Sequence, residues 1–595
     1  MRFRALYRLI ATALLLLPAR EAACQWKGEF GIEGGYGRRK ALSDEEKPLK
    51  HFLEKGDMKL DYKSPRFDWN SSLSFTMENL MTDNVRVTHR ADNSWGHVVR
   101  TNDENPRDLA FKTSATAKPR EGAFYKTTLE YNFHKNRGTN QVLDRHFSND
   151  WDELIDYTVY YRKPHTLSSD VKTQFEMRTP LGSERKVLQG LVALQGKFSK
   201  EDNFWANLME SGTEDEWKME SYKNRPNSNI LYLSSDISFA DSLIRSGALR
   251  LRLTPGARFG WGTTYDHNKE ERGLINFVKD SVEVLTVKED FDYTTIECTP
   301  YIRIDATLGK FFVHLNYGVD WYGRRLTDRN EHDSKKMDYF NPNFVGEGSV
   351  GWKPSSPHSF SFENKIEVRQ PSYIQTCWYD RPGTYRKQVY RGNRSLLTEK
   401  TRRYSLRYDL NIRHIQSTTT LSTIRKVDQV EMTFMKEKIG KEDIQVFYWT
   451  NAGDSWETGV KEDFIWKSGR FYTRTSLEYQ HRVQTSSNSK RTNRSNQWKL
   501  QGEGEVNLGR GWKSGASVKY QSDIASFFSI FDDYCDLGAH LQKQFGKHIA
   551  VTFKVNDILN RPRKTTFCSD DGKEYWNDSS RLNRRLFLLG ARWLF

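Results

Sequence analysis

The chain has 595 residues, 36% of them hydrophobic, 13% aromatic and 28% charged, with a formal net charge of +15 and a mean hydropathy of -0.79. Beyond the first two dozen residues no apolar run reaches the ~18–20 residues that a membrane-crossing helix requires, which excludes a polytopic helical protein. Disorder is excluded as well, because 17 Trp, 28 Tyr and 34 Phe are far too many for a chain that buries no surface.

Residues 1–24 read as a cleaved secretory signal: Arg2, Arg4 and Arg8 precede an apolar run from Leu9 to Leu17, then Pro18 and the small residues Ala22, Ala23 and Cys24. Cleavage is placed after Cys24. Acylation of Cys24 is disfavoured because Glu21 stands where lipoprotein processing expects an apolar residue. The leader carries four Arg and one Glu, so the mature chain from Gln25 keeps +12.

From Gln25 onward the dominant period is two. Alternation begins at Trp26 to Tyr36 and recurs in Tyr125 to Phe133, Leu249 to Phe259, Phe311 to Trp321, Tyr404 to Arg413, Trp498 to Leu508, Trp512 to Tyr520 and Ile549 to Asn556. The connections separate into two kinds. Short ones, such as Leu308 to Lys310, Lys353 to Pro357, Ser468-Gly469, Leu508 to Gly511 and Gly546-Lys547, alternate with long polar ones. The long ones are Gly262 to Asp290, Arg324 to Pro342, Ser372 to Arg402, Met435 to Glu442, Val483 to Asn496, Asp523 to Asp532 and Leu559 to Arg584.

This pattern predicts an all-β protein: a single large antiparallel transmembrane β-barrel over residues 25–595, with about 22 strands, long extracellular loops and short periplasmic turns. The order of turns and loops is unique back to about Asp241 but not between 135 and 199. In the last strand Phe587, Leu589, Ala591, Trp593 and Phe595 share one face, and the terminal aromatics Trp593 and Phe595 are the expected assembly signal.

Little in the chain points to catalysis or cofactor binding. The 14 His are dispersed, there is no HExxH, CxxC or GxSxG arrangement, and Asp570-Asp571-Gly572 with Glu574 reads as an acidic turn rather than a calcium loop. No enzyme activity and no cofactor are expected. Cys298, Cys377, Cys535 and Cys568 fall on the expected outer side, where three pairings, or free thiols, are open. Basic residues occur singly on polar strand faces, which argues against nucleic acid. Arg403, Arg407, Asp409 and Arg413 are candidate lumen charges, with Arg250, Arg252, Arg258, Lys499, Lys513 and Lys519 of the same kind. If such faces line the lumen they favour anions, but pairing of the cations with Asp409, Glu478, Glu503 and Glu505 across strands is the favoured reading.

Three stretches resemble the barrel of TonB-dependent receptors, in the form catalogued as an outer-membrane β-barrel family of Bacteroidetes. Pro371, Tyr373 and Gln375, followed by Gly392, Asn393 and Glu399, are similar to a family loop, although Arg394 and Thr398 replace its prolines. Asn451-Ala452-Gly453 with Gly459 is similar to a second motif, with Lys461 at the usual Glu position; glycines there suit bends in a curving wall. Val555 to Asn560 with Arg584 and Arg585 resembles the closing hairpin. The resemblance implies localisation in the outer membrane of a Gram-negative bacterium.

A complete receptor places a plug domain before its barrel. Here strands and loops occupy the whole mature chain, so no plug is expected and TonB-driven uptake is not carried over. The expectation is a plug-less, porin-like channel for passive or partner-gated solute passage, in contact with outer-membrane lipid and closed by inward-folded loops or by a protein partner. The alternative is a non-transporting scaffold subunit of an outer-membrane assembly, secretion or surface-protein complex.

Overall fold

A computed structural model describes residues 25–594 except 40–48, 90–93, 149–153, 212–216, 277–280, 330–335, 377–379, 383–387, 440–441, 488–491, 569–574 and 581–584. The expected leader, the acidic turn at Asp570 to Glu574, Cys377, Arg584 and Phe595 lie outside the described residues.

β1 (Gln25–Arg39), β2 (Leu49–Lys63) and β3 (Phe67–His89) open the wall. β4 (Trp95–Glu104) and β5 (Arg107–Ala117) form one descending path broken at Asn105 and Pro106, where the missing proline N–H interrupts the ladder. β6 (Phe124–Phe147) climbs back. β7 (Leu154–Lys163) and β8 (His165–Leu181) descend about Pro164, and β9 (Ser183–Glu201) and β10 (Asn203–Ser211) ascend about Asp202. The wall continues through β11 (Trp217–Ser246), β12 (Leu249–Asn276), β13 (Ser281–Leu308), β14 (Phe311–Asp328), β15 (Lys336–Ser355) and β16 (His358–Arg369).

A long connection then holds one helical turn, Tyr373–Thr376, with β17 (Asp380–Pro382) and β18 (Gln388–Arg391). β19 (Glu399–Ile412), β20 (Ile415–Ile439), β21 (Glu442–Ser468), β22 (Phe471–Ser486), β23 (Thr492–Gly509) and β24 (Trp512–Gln521) resume the wall. After the short β25 (Ile524–Ala525) and β26 (Ser529–Phe531) come wall strands β27 (Tyr534–Phe545) and β28 (Ile549–Asn556). β29 (Arg563–Cys568) and β30 (Tyr575–Ser580) precede β31 (Leu586–Leu594), which pairs with β1 from Glu29↔Leu594 to Tyr36↔Phe587. That pairing closes a 22-stranded antiparallel barrel with no free edge.

Side-chain alternation sorts the two solvents. On β14, Phe311, Val319 and Trp321 are exposed on the outer face, while Tyr322 and Arg324 are buried on the inner one. The registers carry this across neighbours: Phe311↔Trp352 and Val319↔Phe344 face out, whereas Asn316↔Glu347 and Asp320↔Asn343 face in. On β21 the outward Trp456 and Trp466 are ten residues apart, about 33 Å along a strand and about 25 Å of height at a tilt of ~40°, the thickness of a barrel's apolar band. Tryptophans at both edges are interfacial anchors.

The short connections fall on one rim, as at Gly309-Lys310, Gly469-Arg470 and Arg510-Gly511. On the opposite rim the β16–β19 connection is long, as expected, but others of the expected loops are largely paired strand. The stretch from Gly262 to Asp290 is mostly strand, because β12 and β13 stay paired from Leu249↔Leu308 up to Asn276↔Ser281. Above the membrane both sheet faces meet water, so these residues lose their alternation while keeping the ladder.

Candidate functional site: the lumen and its outer cap

The inner wall is lined with ion pairs formed along and between strands. Arg407 Nη2 lies 2.8 Å from Asp409 Oδ1, which also accepts the Thr418 hydroxyl at 2.7 Å. Lys499 meets Glu478 at 3.0 Å, Lys554 meets Glu33 at 3.0 Å, and His314 meets Asp305 at 2.5 Å. Arg403 is exposed, makes no ion pair among the described residues, and opens onto a wall recess of about 560 Å³ shared with Glu363, Lys461 and Glu478. Arg413 is not a strand residue. It forms the β19–β20 turn with His414 at the short-turn rim, because the ladder already closes at Ile412↔Ile415.

Toward the outer rim the wall tightens. Glu457, only 4% exposed, accepts from Lys426 Nζ at 2.8 Å and Gln480 Nε2 at 2.7 Å and lies 3.0 Å from Arg482 Nη2. A carboxylate this buried is tolerable only with such paired and hydrogen-bonded neighbours.

The long β16–β19 connection folds inward onto this region. Arg324, buried on the inner face of β14, donates to the Pro371 carbonyl oxygen and stacks over the Tyr339 ring at 4.5 Å. Gln375 Oε1 accepts the Ser372 N–H at 2.8 Å, and the Gln375 carbonyl accepts the Asn393 N–H at 2.7 Å. Asn393 Nδ2 reaches the Trp449 carbonyl at 3.0 Å. Asn451 Oδ1 accepts the Leu397 N–H at 2.8 Å, and its Nδ2 donates to the carbonyls of Leu397 and Asp428. Two stretches picked out separately in the sequence thus form one hydrogen-bonded junction. Gly392 lies in the same irregular segment, Tyr373 in the helical turn, and Glu399 begins β19, where it accepts the Val430 N–H at 3.5 Å.

Two further connections, β24–β27 and β28–β31, join in one small sheet that crosses the mouth. β25 pairs with β26, β26 with β29, β29 with β30, and β30 with the top of β3 from Asn84↔Ser580 to His89↔Tyr575. The other end of this sheet meets β20 and β21, nine to ten wall strands from β3 by the shorter way round and so nearly opposite. There Phe567 and Tyr390 pack on Phe434 and Phe447, and Phe527 and Phe528 cluster with Ala452. Ser526 Oγ donates to Glu431 at 2.9 Å and 3.1 Å, and Asn493 Nδ2 holds the Ser526 carbonyl at 3.3 Å. Burial raises the Glu431 carboxyl above its ordinary range. None of Glu431, Glu457, Arg324 or Ser526 stands out in the sequence. Their partners lie far along the chain, 95 residues away for Ser526 and Glu431.

Residues 195–593 match the model of the outer membrane protein beta-barrel family, about two-thirds of the chain. The chain belongs to that family. No curated protein sequence matches this family member. Among solved structures it is similar to the ferric-catecholate import receptor Fiu of E. coli, at TM-score 0.60 and 8% identity, covering 96% of this chain and 82% of that one. The siderophore receptor PiuA of Acinetobacter baumannii gives 0.58 and 11%, with 97% and 82% covered. FpvA of P. aeruginosa gives 0.56 and 10%, with 96% and 72% covered. At these identities the likeness is one of fold. The outer-membrane barrel of this family has the wall of TonB-dependent receptors and resides in the outer membrane of a Gram-negative bacterium.

The family barrel carries its remaining marked residues on the outer face. Trp593 points to lipid beside β1 and β28, paired with Phe30 and Ile549. Cys298 and Cys535 are free thiols, and the Cys568 side chain lies outside the described atoms. Among the described residues no group of three or more His, Cys, Asp and Glu is placed to hold a metal.

Proposed function

We propose that this barrel is a receptor-like channel without a plug, passing solutes passively or when a partner opens its cap. The polar and charged inner face running from the short-turn rim to the Glu457 knot, with cations left unpaired along it, supports this reading, because a solute path needs a hydrated, charged lining. Arg250, Arg252, Arg403 and Lys513 stand on that face without ion pairs among the described residues, which favours anionic solutes. Planar-bilayer recording of the purified protein tests it. With the cap in place the wild type should carry little current, and a steady conductance preferring anions once the cap is opened or removed supports a channel.

The inward-folded cap favours a second reading, a non-transporting scaffold whose outer tier docks a partner. A silent barrel that co-purifies in mild detergent with a stoichiometric protein, and stays silent when the partner is removed or restored, supports that reading and sinks the first.

A further inference from the structure

The outward face of β5, β6, β8 and β9 changes character abruptly at its upper edge. Leu109↔Phe133 and Ser169↔Phe198 form the last largely apolar row. One residue pair higher stand Arg107↔Lys135 and Leu167↔Lys200, and above Lys135 comes Arg137, opposite His165. These side chains share the lipid face with Leu109, Leu167 and Phe198, which are 38%, 38% and 52% exposed. The alternate positions face the lumen and pair there, as His134 does with Asp108 at 2.6 Å.

Arg107, Lys135, Arg137 and Lys200 form no ion pair among the described residues. Asp202, level with His165, is already engaged by Arg225 at 3.7 Å. Like charges directly opposed across a ladder are unfavourable, so Arg107↔Lys135 is a strained pairing until an anion lies between the two. Its height identifies the anion. Arg107 stands ten residues above Ala117 at the short-turn rim, the same climb as from Phe311 to the interfacial Trp321.

We infer that Arg107, Lys135 and Arg137 bind the phosphate of an anionic glycolipid in the outer leaflet, with Lys200 two strands away reaching a second phosphate. The guanidinium forks supply bidentate hydrogen bonds to phosphate oxygens, and the apolar row beneath receives the acyl chains.

The test uses the full-length barrel, stripped of lipid in non-ionic detergent and titrated with bisphosphorylated lipid A, or with the same lipid after enzymatic dephosphorylation. Binding is read by native mass spectrometry. The wild type should prefer the phosphorylated lipid by about tenfold or more, corresponding to one or two charge-assisted contacts. Millimolar inorganic phosphate should not displace it, since the acyl chains contribute. The Arg107→Gln, Lys135→Gln, Arg137→Gln triple variant should lose the preference, and the lumen-facing Lys112→Gln should keep it. Equal binding of the two lipids by the wild type, which requires no variant to fold, overturns the inference, as does a preference that survives in the triple variant.

Discussion

Gly453 has φ +147° where β21 passes β22, and a Cβ there would stand 2.0 Å from the Thr485 carbonyl oxygen. Gly459 is similarly confined, its Cβ position lying 2.5 Å from the Tyr479 carbonyl oxygen. The sequence marks both glycines as bends, and the β20–β21 register does shift opposite Gly453, between Lys426 and Val430. Gly453→Ala should cost about 1–3 kcal/mol, seen as a lower temperature for losing the fast-migrating folded band on gels. Asp557, in the outer turn after β28, is 2% exposed and holds φ +47°, with its Oδ1 accepting the Asn560 N–H at 3.0 Å. Burial raises its carboxyl above the ordinary range. The stability it contributes is therefore fullest below the unfolded value near 3.8 and falls as pH rises through the folded one. Asp557→Asn should raise the unfolding temperature at pH 7 by a few degrees and leave it unchanged well below pH 4, as a melting series across pH would report.

Loops and strands were legible to different depths. Within the membrane, one face meets lipid and the other water, so alternation is enforced and the strand edges from Leu249 onward can be read directly. Above the membrane that constraint vanishes, which is why Gly262 to Asp290 looks like loop while it forms a paired ladder. The ambiguity between 135 and 199 has a related cause. β7 pairs with β10 only above the breaks at Pro164 and Asp202, while β8 pairs with β9 below them, so one path carries two sets of neighbours. Among the polar anchors of the β16–β19 connection, Asn451 makes three bonds from one side chain and can be tested alone. Asn451→Ala removes three hydrogen bonds, to Leu397 N, Leu397 O and Asp428 O, worth about 1–3 kcal/mol in all. Limited proteolysis should then cut within 370–398 several times faster while the barrel itself stays resistant.

At the scale of the whole molecule, a 22-stranded wall encloses a lumen wide enough to endanger a cell if it stood open. The sequence signals the need for closure and leaves its form open, since the contacts that supply it, Ser526 with Glu431 and β30 with β3, join segments 95 and 492 residues apart. The sheet of β25, β26, β29 and β30 is the closing element, anchored on opposite walls. Conductance before and after its removal tests the account most directly. The wild type should show little current in a planar bilayer. A variant in which residues 563–580 are replaced by a short turn, and which still migrates as a folded barrel, should carry a large, steady, anion-preferring current. A folded variant as silent as the wild type would contradict the account.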